Sequence, residues 1–314
     1  MSTSVQLPSL FLERLKEIVP SAQLDSVLRS FSSARPISIR VNKLKDDRNQ
    51  ICQTFKERNI EFRLLPWCDD ALILENISKE QLWEMDLIKE GKIYQQASSS
   101  MLVPVVLNPQ PGERVLDLCA APGSKTSQIA AMMNNEGEII AVEHIKDRYY
   151  RLKSVLSLLG VTNTKLKMMD GRRYKDSELF DRILVDAPCS SEGRFHLADK
   201  KSFGFWSLRK IKEMVQKQRG LLLSASRLLK PNGILVYSTC TFAPEENEGV
   251  VDWFLRKTKE RFTIYPVELN GIETYPAIKQ WKGKVYRDVV SSCVRLLPTQ
   301  IMDGFFIAKL RKEE

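Results

Sequence analysis

Histidine is nearly absent from this sequence. The 314 residues include two, His144 and His196, so a catalytic triad built on imidazole has little material. No C-x-x-C or H-x-x-x-H pair occurs, which removes the usual local frameworks for zinc, and no bound metal is expected. Six cysteines in a chain of this length do not make a disulfide framework. Three of them, Cys119, Cys189 and Cys240, close apolar, strand-like runs. That placement suits working thiols in a reducing cytoplasm. No apolar run reaches the roughly 18 residues of a membrane span. The opening MSTSVQLPSLFLERL lacks a basic segment ahead of a long apolar one, so neither a span nor a secretory signal is expected. Both glycine-rich phosphate signatures are missing as well. There is no G-x-G-x-x-G, and Gly123-Ser-Lys-Thr only resembles a P-loop tail, because Ser124 separates glycine from lysine and position 118 is Leu.

Hydrophobic residues make up 43% of the chain, enough for a substantial core, and the net charge is +9. Residues 1–93 hold 14 basic and 14 acidic side chains, whereas residues 165–230 hold 16 basic against 8 acidic. Nearly all of the positive excess therefore sits in one segment. Clustered cations gain by releasing condensed counterions from a polyanion, so a nucleic-acid partner competes with the plainer reading of a solvated basic face.

The pattern along the chain divides it in two. Residues 7–32 carry apolar side chains at helical spacing, interrupted at Pro20. PISIRVN (36–42) alternates like a half-buried strand, 47–58 is helical, and EFRLLPW and ALILEN are short strands. This small α+β unit, residues 1–93, is charge-neutral. From Gly112 onward strands and helices alternate. Strands fall at 114–120, 138–144, 164–170, 182–188 and 233–240, with helices at 124–133, 146–159, 207–229 and 244–257 and a late strand in GFFIAKLRK. Strands separated by helices of this length imply a parallel α/β sheet covered on both faces, and residues 94–314 form this second domain.

Ligands of such sheets bind beyond the carboxyl ends of the strands. Four ends carry suggestive chemistry. The first is the turn Asp117-Leu-Cys-Ala-Ala-Pro-Gly-Ser-Lys-Thr126, whose small residues let a ligand approach the backbone. Glu143, 26 residues after Asp117, can accept from two ribose hydroxyls. Asp170 can accept from an adenine amino group, and Asp186 ends the fourth strand. A nucleoside cofactor without phosphates fits this set, and S-adenosylmethionine is one. A generic hydrolase or reductase remains about as good on these residues alone.

Two strand ends present thiols, in Asp186-Ala-Pro-Cys-Ser190 and Ser238-Thr-Cys-Thr241. Strands 4 and 5 are both expected beside strand 1, which would bring Cys189, Cys240 and the 117–126 turn to one crevice. Buried core cysteines are the plainer explanation for one such residue; two in the same loop position favour function. With these motifs, and with Arg35-Pro-Ile-Ser-Ile-Arg-Val-Asn42, Tyr94-Gln-Gln-Ala-Ser98 and Gly304-Phe-Phe-Ile-Ala-Lys309, the chain resembles, over nearly its whole length, the RNA (cytosine-5)-methyltransferases of the NOL1/NOP2/Sun group. The bacterial ribosomal and archaeal transfer-RNA enzymes are the most similar. The chain is expected to stop at the catalytic domain, without the RNA-binding extension some relatives carry.

The resemblance implies a class I methyltransferase fold: a Rossmann-like, mostly parallel, seven-stranded sheet behind an N-terminal α+β RNA-binding domain. It implies Cys240 as the nucleophile at cytosine carbon 6 and Cys189 in the release step. Asp186 would contact the base and Lys125 would support Asp186 or the base. S-adenosylmethionine would be held by Cys119, Ala120, Ala121, Pro122, Gly123, Ser124 and Lys125 with Glu143, Asp170 and Asp186. Arg148 is a further candidate, with an ordinary surface arginine as the alternative. A cytoplasmic monomer is expected, with RNA, ribosomal or transfer, bound along 165–230. There Phe195, Phe203, Phe205 and Trp206 mix with cations, and at least half of these aromatics are expected to anchor the loop rather than stack on bases. Two other functions compete. A DNA cytosine-5 methyltransferase would use the Pro-Cys thiol with a Glu-Asn-Val motif, and none occurs here. A non-catalytic RNA-binding assembly factor would not need both cysteines and an intact cofactor turn.

Overall fold

The computed structural model describes residues 6–259 and 261–314; the first five residues of the opening stretch read above for a signal lie outside them. Two helices lead, α1 (Ser9–Ile18) and α2 (Ser21–Ser30), separated at Pro20. Each begins directly after a proline, whose missing N–H is no loss at a helix start. Their apolar faces carry Phe11, Leu15, Val19, Val27 and Phe31 onto Phe195, Phe203 and Phe242, so these helices pack on the later part of the chain.

The small sheet follows. Its elements are β1 (Ile37–Val41), α3 (Arg48–Glu57), β2 (Phe62–Leu64), β3 (Ala71–Leu74), α4 (Lys79–Glu84), α5 (Asp86–Lys89) and β4 (Ile93–Gln95). Asp47 caps α3 and Ser78 forms a reciprocal capping box with Gln81 on α4. The strand order is β2-β3-β1-β4, and β1 pairs with β4 from Val41↔Ile93 to Ile39↔Gln95. The boundary expected at residue 93 therefore falls at the start of a strand of this sheet. Helix α6 (Ser98–Leu107), which no periodicity announced, is almost wholly buried and holds Pro104 inside.

The large sheet takes β5 (Arg114–Asp117), β6 (Glu138–Glu143), β7 (Thr164–Met168), β8 (Phe180–Asp186) and β9 (Leu229–Thr239), joined through α7 (Ser124–Met132), α8 (Lys146–Leu158) and α9 (Leu208–Leu228). After α10 (Glu248–Lys257) come β10 (Phe262–Tyr265), β11 (Tyr275–Pro276), the β12 (Gln280–Trp281) and β13 (Lys284–Val285) hairpin, β14 (Val294–Leu296) and β15 (Phe305–Lys312). The order is β11-β14-β15-β9-β8-β5-β6-β7, with β10 also on β15. Strands β9 to β7 run parallel, and β15 pairs antiparallel with β9, β14 and β10. This is the class I methyltransferase arrangement, a mixed sheet with helices around it. Nine strands stand in place of the expected seven because β14 and β10 share one edge of β15 and β11 extends it.

One expectation is corrected. Strand 4 (β8) lies beside strand 1 (β5), but strand 5 (β9) lies beside strand 4, because β6 takes the other edge of β5. Helix α10 also starts four residues later than expected, since Pro244–Asn247 form a turn whose side chains point into the protein.

The two sheets are joined by buried polar groups. Arg40, 1% exposed, donates through Nε to Gln96 Oε1 (3.0 Å) and through its guanidinium to Ser127 Oγ (2.8 Å). Gln96 donates in turn to Gln128 Oε1 (2.9 Å), and Gln128 to the Met101 carbonyl (2.8 Å). Asn42 donates to the carbonyls of both Gly91 and Leu159. Among the described residues no helix is long and apolar enough to cross a membrane.

Candidate active site

The carboxyl ends of β5, β6, β7, β8 and β9 open into one cavity of about 560 Å³, within the range of small-molecule sites. The turn after β5 builds its floor. Asp117 is buried and accepts from Thr126 Oγ1 (2.7 Å) and the Cys119 amide (3.3 Å), folding the turn back on its own strand. Burial pushes this carboxyl up to about 6 despite both donors. Gly123 (φ +108°) caps α7 and does not line the cavity. A Cβ there would meet Leu152 and Val155 of α8 at 3.1 and 3.2 Å, so the glycine serves the turn and its packing on α8 rather than ligand approach.

The other expected cofactor residues do line it: Cys119, Ala120, Ala121, Pro122, Ser124, Lys125, Glu143, Arg148, Asp170 and Asp186. Glu143, 3% exposed, accepts from the Ile145 amide (2.9 Å), which leaves acceptor capacity for a diol. Arg148 reaches Glu143 (3.4 Å) and donates to the Ala121 carbonyl (2.8 Å), so it is no free surface arginine. Asp170 is held by the Arg172 guanidinium and amide, which keep its carboxyl below the usual carboxylate range. Ser99 Oγ is buried on the cavity wall with no hydrogen-bond partner. The volume, the ring of acceptors and this orphaned hydroxyl fit a nucleoside cofactor such as S-adenosylmethionine. Among the described residues no group of three or more His, Cys, Asp or Glu could hold a metal ion.

At the opposite wall the two thiols meet. Adjacency of β8 and β9 brings Cys189 Sγ to 3.4 Å from Cys240 Sγ. The Cys189 thiol donating to it holds Cys240 below its ordinary value, with Arg194 and Ser191 acting in the same direction against burial. Cys189 is pushed well up, first by that hydrogen bond and then by burial. Beside them Asp186 takes Lys125 Nζ on one oxygen (2.6 Å) and Ser238 Oγ on the other (2.8 Å). The site can thus offer a thiolate beside a fixed carboxylate and an ammonium group. Gly193 donates to the Cys240 carbonyl (2.9 Å) and packs so closely that a Cβ would lie 2.3 Å from the Gly304 carbonyl oxygen.

The structure also brings in residues that no quoted motif contains, Arg194, Lys217 and Asp303 on the cavity wall and the buried acids Glu192 and Glu246 behind it, and it adds Tyr94 and Phe305, from motifs given no site role, to the wall. Of the four aromatics in 190–219, Phe195 and Phe203 are buried and Trp206 donates to Glu192 (2.7 Å), whereas Phe205 is 86% exposed.

The profile of a family described as 16S rRNA methyltransferase RsmB/F matches residues 104–311, and that of the RsmF/B-like ferredoxin-like domain matches residues 7–79. The tRNA (cytosine(49)-C(5))-methyltransferase of Pyrococcus abyssi is 39% identical over 311 residues, covering 96% of this chain and 95% of its own. Ribosomal RNA small subunit methyltransferase F of Pectobacterium atrosepticum is 35% identical over 320 residues; the match covers 99% of this chain but 63% of that protein's length. A crystal structure of a methyltransferase homologue from Pyrococcus horikoshii is 32% identical and superposes with a TM-score of 0.85 over 98% of this chain and 96% of that one.

Proposed function

The chain belongs to the RsmB/F methyltransferase family, and from that premise we propose that it attacks its cytosine covalently, through the sulfur of Cys240. It is an RNA (cytosine-5)-methyltransferase that uses S-adenosylmethionine. The observation that carries the covalent reading is the pair of sulfurs 3.4 Å apart on the wall of the cofactor cavity, where the neighbouring thiol and Arg194 favour the thiolate of Cys240.

Cytosine carbon 5 is a poor nucleophile. The Cys240 thiolate adds to carbon 6, and the displaced electron pair turns carbon 5 into a carbon nucleophile. The cofactor supplies an electrophilic methyl group on a sulfonium. Asp186, fixed by Lys125 and Ser238, accepts from the amino group and from N3–H, N3 taking a proton from solvent as charge is delivered into the ring and returning it when the ring is restored. Carbon 5 then carries one proton too many. With Cys240 tied up as a thioether, the charge that raised Cys189 is gone; Cys189 gives its proton to solvent, takes the carbon 5 proton as thiolate, and the freed electron pair expels Cys240 as thiolate with the aromatic ring restored. Residues 119–122, 124 and 125 of the turn, with Glu143 and Asp170, hold the cofactor, and Gly123 and Arg148 shape and brace the turn.

The base reaches this cavity flipped or unpaired. RNA lies along the basic segment 165–230, where Arg172, Arg194 and Lys217 rim the cavity and Phe205 offers a free ring. Domains 1–93 and 94–314 act as RNA-binding and catalytic parts of a cytoplasmic monomer; six free cysteines suit a reducing compartment. The test pairs two variants. C240A should lose methyl transfer altogether, and C189A should accumulate a protein–RNA adduct that survives denaturing gels. Methyl transfer that persists in C240A would sink the reading. Bisulfite sequencing of total RNA from cells with and without the gene identifies the target RNA.

A further inference from the structure

Two buried acids behind the cavity have no part in the chemistry above. Glu246 lies under the Cys189 turn. One carboxyl oxygen accepts from the Ser190 amide (3.0 Å) and Gln218 Nε2 (2.8 Å), and the other is in close contact with Ser190 Oγ. Glu192 lies under the Cys240 turn and accepts from Trp206 Nε1 (2.7 Å), Thr241 Oγ1 (3.0 Å) and the Phe242 amide (3.1 Å). Ser190 Oγ and Thr241 Oγ1 sit 2.7 Å apart and link the two halves. The result is an unbroken row, Glu246–Ser190–Thr241–Glu192, joining the residue after Cys189 to the residue after Cys240.

The row contains three oxygen–oxygen contacts. Its two hydroxyls supply two protons. With both carboxyls ionised, one contact would be left with no hydrogen between two oxygens, a repulsive arrangement in a buried site. One carboxyl must therefore carry the third proton. Burial raises both carboxyls, against Arg14 at Glu192, so the donors decide which one holds it: fixed N–H groups serve both oxygens of Glu192, from Trp206 Nε1 and the Phe242 amide, whereas the Glu246 oxygen that meets Ser190 Oγ has only a long 3.3 Å contact from the Ser190 amide and is free to carry the proton. The titratable groups that face Glu246 are Glu192 and Cys189 across the turns and Tyr237 from β9, and α9 contributes only the neutral Gln218. Gln218 cannot donate less, because its Nε2 also serves the Pro188 carbonyl (3.0 Å).

We propose that Glu246 is a positioning residue held as the neutral acid, its carboxyl proton completing a chain of hydrogen bonds that ties the Cys189 turn to the Cys240 turn. Burial and the Glu192 charge push the Glu246 carboxyl up to about 8, in agreement with the proton count. The reading rests on the covalent mechanism only for its consequence, the fixed distance between the sulfurs.

The test is an infrared titration of the full chain without RNA, backed by pH–rate profiles. A carboxylic acid band that bleaches with a midpoint near pH 8 and is missing from E246Q is expected. T241V removes the middle hydroxyl and with it the need for a third proton, so the midpoint should fall by about one unit, the worth of one hydrogen bond. In single-turnover methylation the native alkaline limb above that midpoint should be absent from the E246Q profile, since its amide donates to Ser190 at every pH. A missing band, an unmoved midpoint in T241V or identical alkaline limbs each overturn the proposal. The infrared arm needs no turnover, so its failure is separate from a failure of the Cys240 mechanism.

Discussion

Replacing Arg295 with methionine should cost this protein 3–5 kcal/mol, far more than a surface ion pair. Arg295 on β14 meets Glu248, the first residue of α10, through two bonds of 2.6 Å, and the side chains are 6% and 0% exposed. A third bond runs from its guanidinium to the Phe242 carbonyl (3.0 Å), two residues after Cys240. Charge centres about 4 Å apart attract by about 4 kcal/mol at an effective dielectric of 20. Most of that attraction offsets the cost of desolvating the pair, so the pair as such adds little stability. The single substitution, however, leaves Glu248 charged and buried with the Ile278 amide as its one remaining donor among the described residues (2.9 Å), and an orphaned buried charge costs about 3–5 kcal/mol. For 314 residues the unfolding entropy is roughly 0.66 kcal/mol/K, so the melting temperature should fall by about 5–8 °C. The double variant R295M/E248M should recover more than half of the loss, short of all of it because the Ile278 amide is then unpaired. Paired thermal and urea unfolding of the native chain, R295M, E248M and the double variant reads this. A loss below about 1 kcal/mol in R295M, or a double variant no better than the single, would refute the argument from an orphaned charge.

Three more outcomes follow from the site. D170A should weaken S-adenosylmethionine binding about tenfold or more in calorimetry, the worth of a hydrogen bond to a charged acceptor; unchanged affinity would remove Asp170 from the cofactor site. F205A should leave the fold intact, since the ring is 86% exposed, while weakening RNA by about 1–3 kcal/mol in a binding titration if a base stacks there. Asp117 has a folded pKa of about 6 against an ordinary 3.8, so folding takes up a proton: its contribution is full below about pH 4 and is lost as pH rises to about 6. That loss is roughly 3 kcal/mol by linkage. D117N should lack it, and parallel stability–pH curves for the two proteins would refute the assignment.

The sequence made the strand ends readable because each combines an apolar run with a polar residue at its carboxyl end. Asp117, Glu143, Asp170, Asp186, Cys189 and Cys240 all end where one cavity opens, save that buried Asp117 folds the turn from behind. Local pattern failed where long-range partners decide. Helix α6 shows no polar face, being packed on nearly every side, and so carries no period to detect. Glu192 and Glu246 look like loop charges until Ser190, Thr241 and Gln218 arrive from other segments. Phe195 and Phe203 share their composition with RNA-binding loops, yet α1 and α2 cover them. The neighbours of β9 depend on strand order, which no single strand encodes.

The Arg40 bridge between the two sheets bears on the wall of the cavity. A joint made of a guanidinium, two amides and a hydroxyl, all sealed from water, cannot swing like a hinge. Prising it apart would strand each group, at a cost of about 1–3 kcal/mol apiece. The wall that β4 and Tyr94 contribute to the cavity is accordingly held in register with the cofactor turn by the same buried groups that join the sheets.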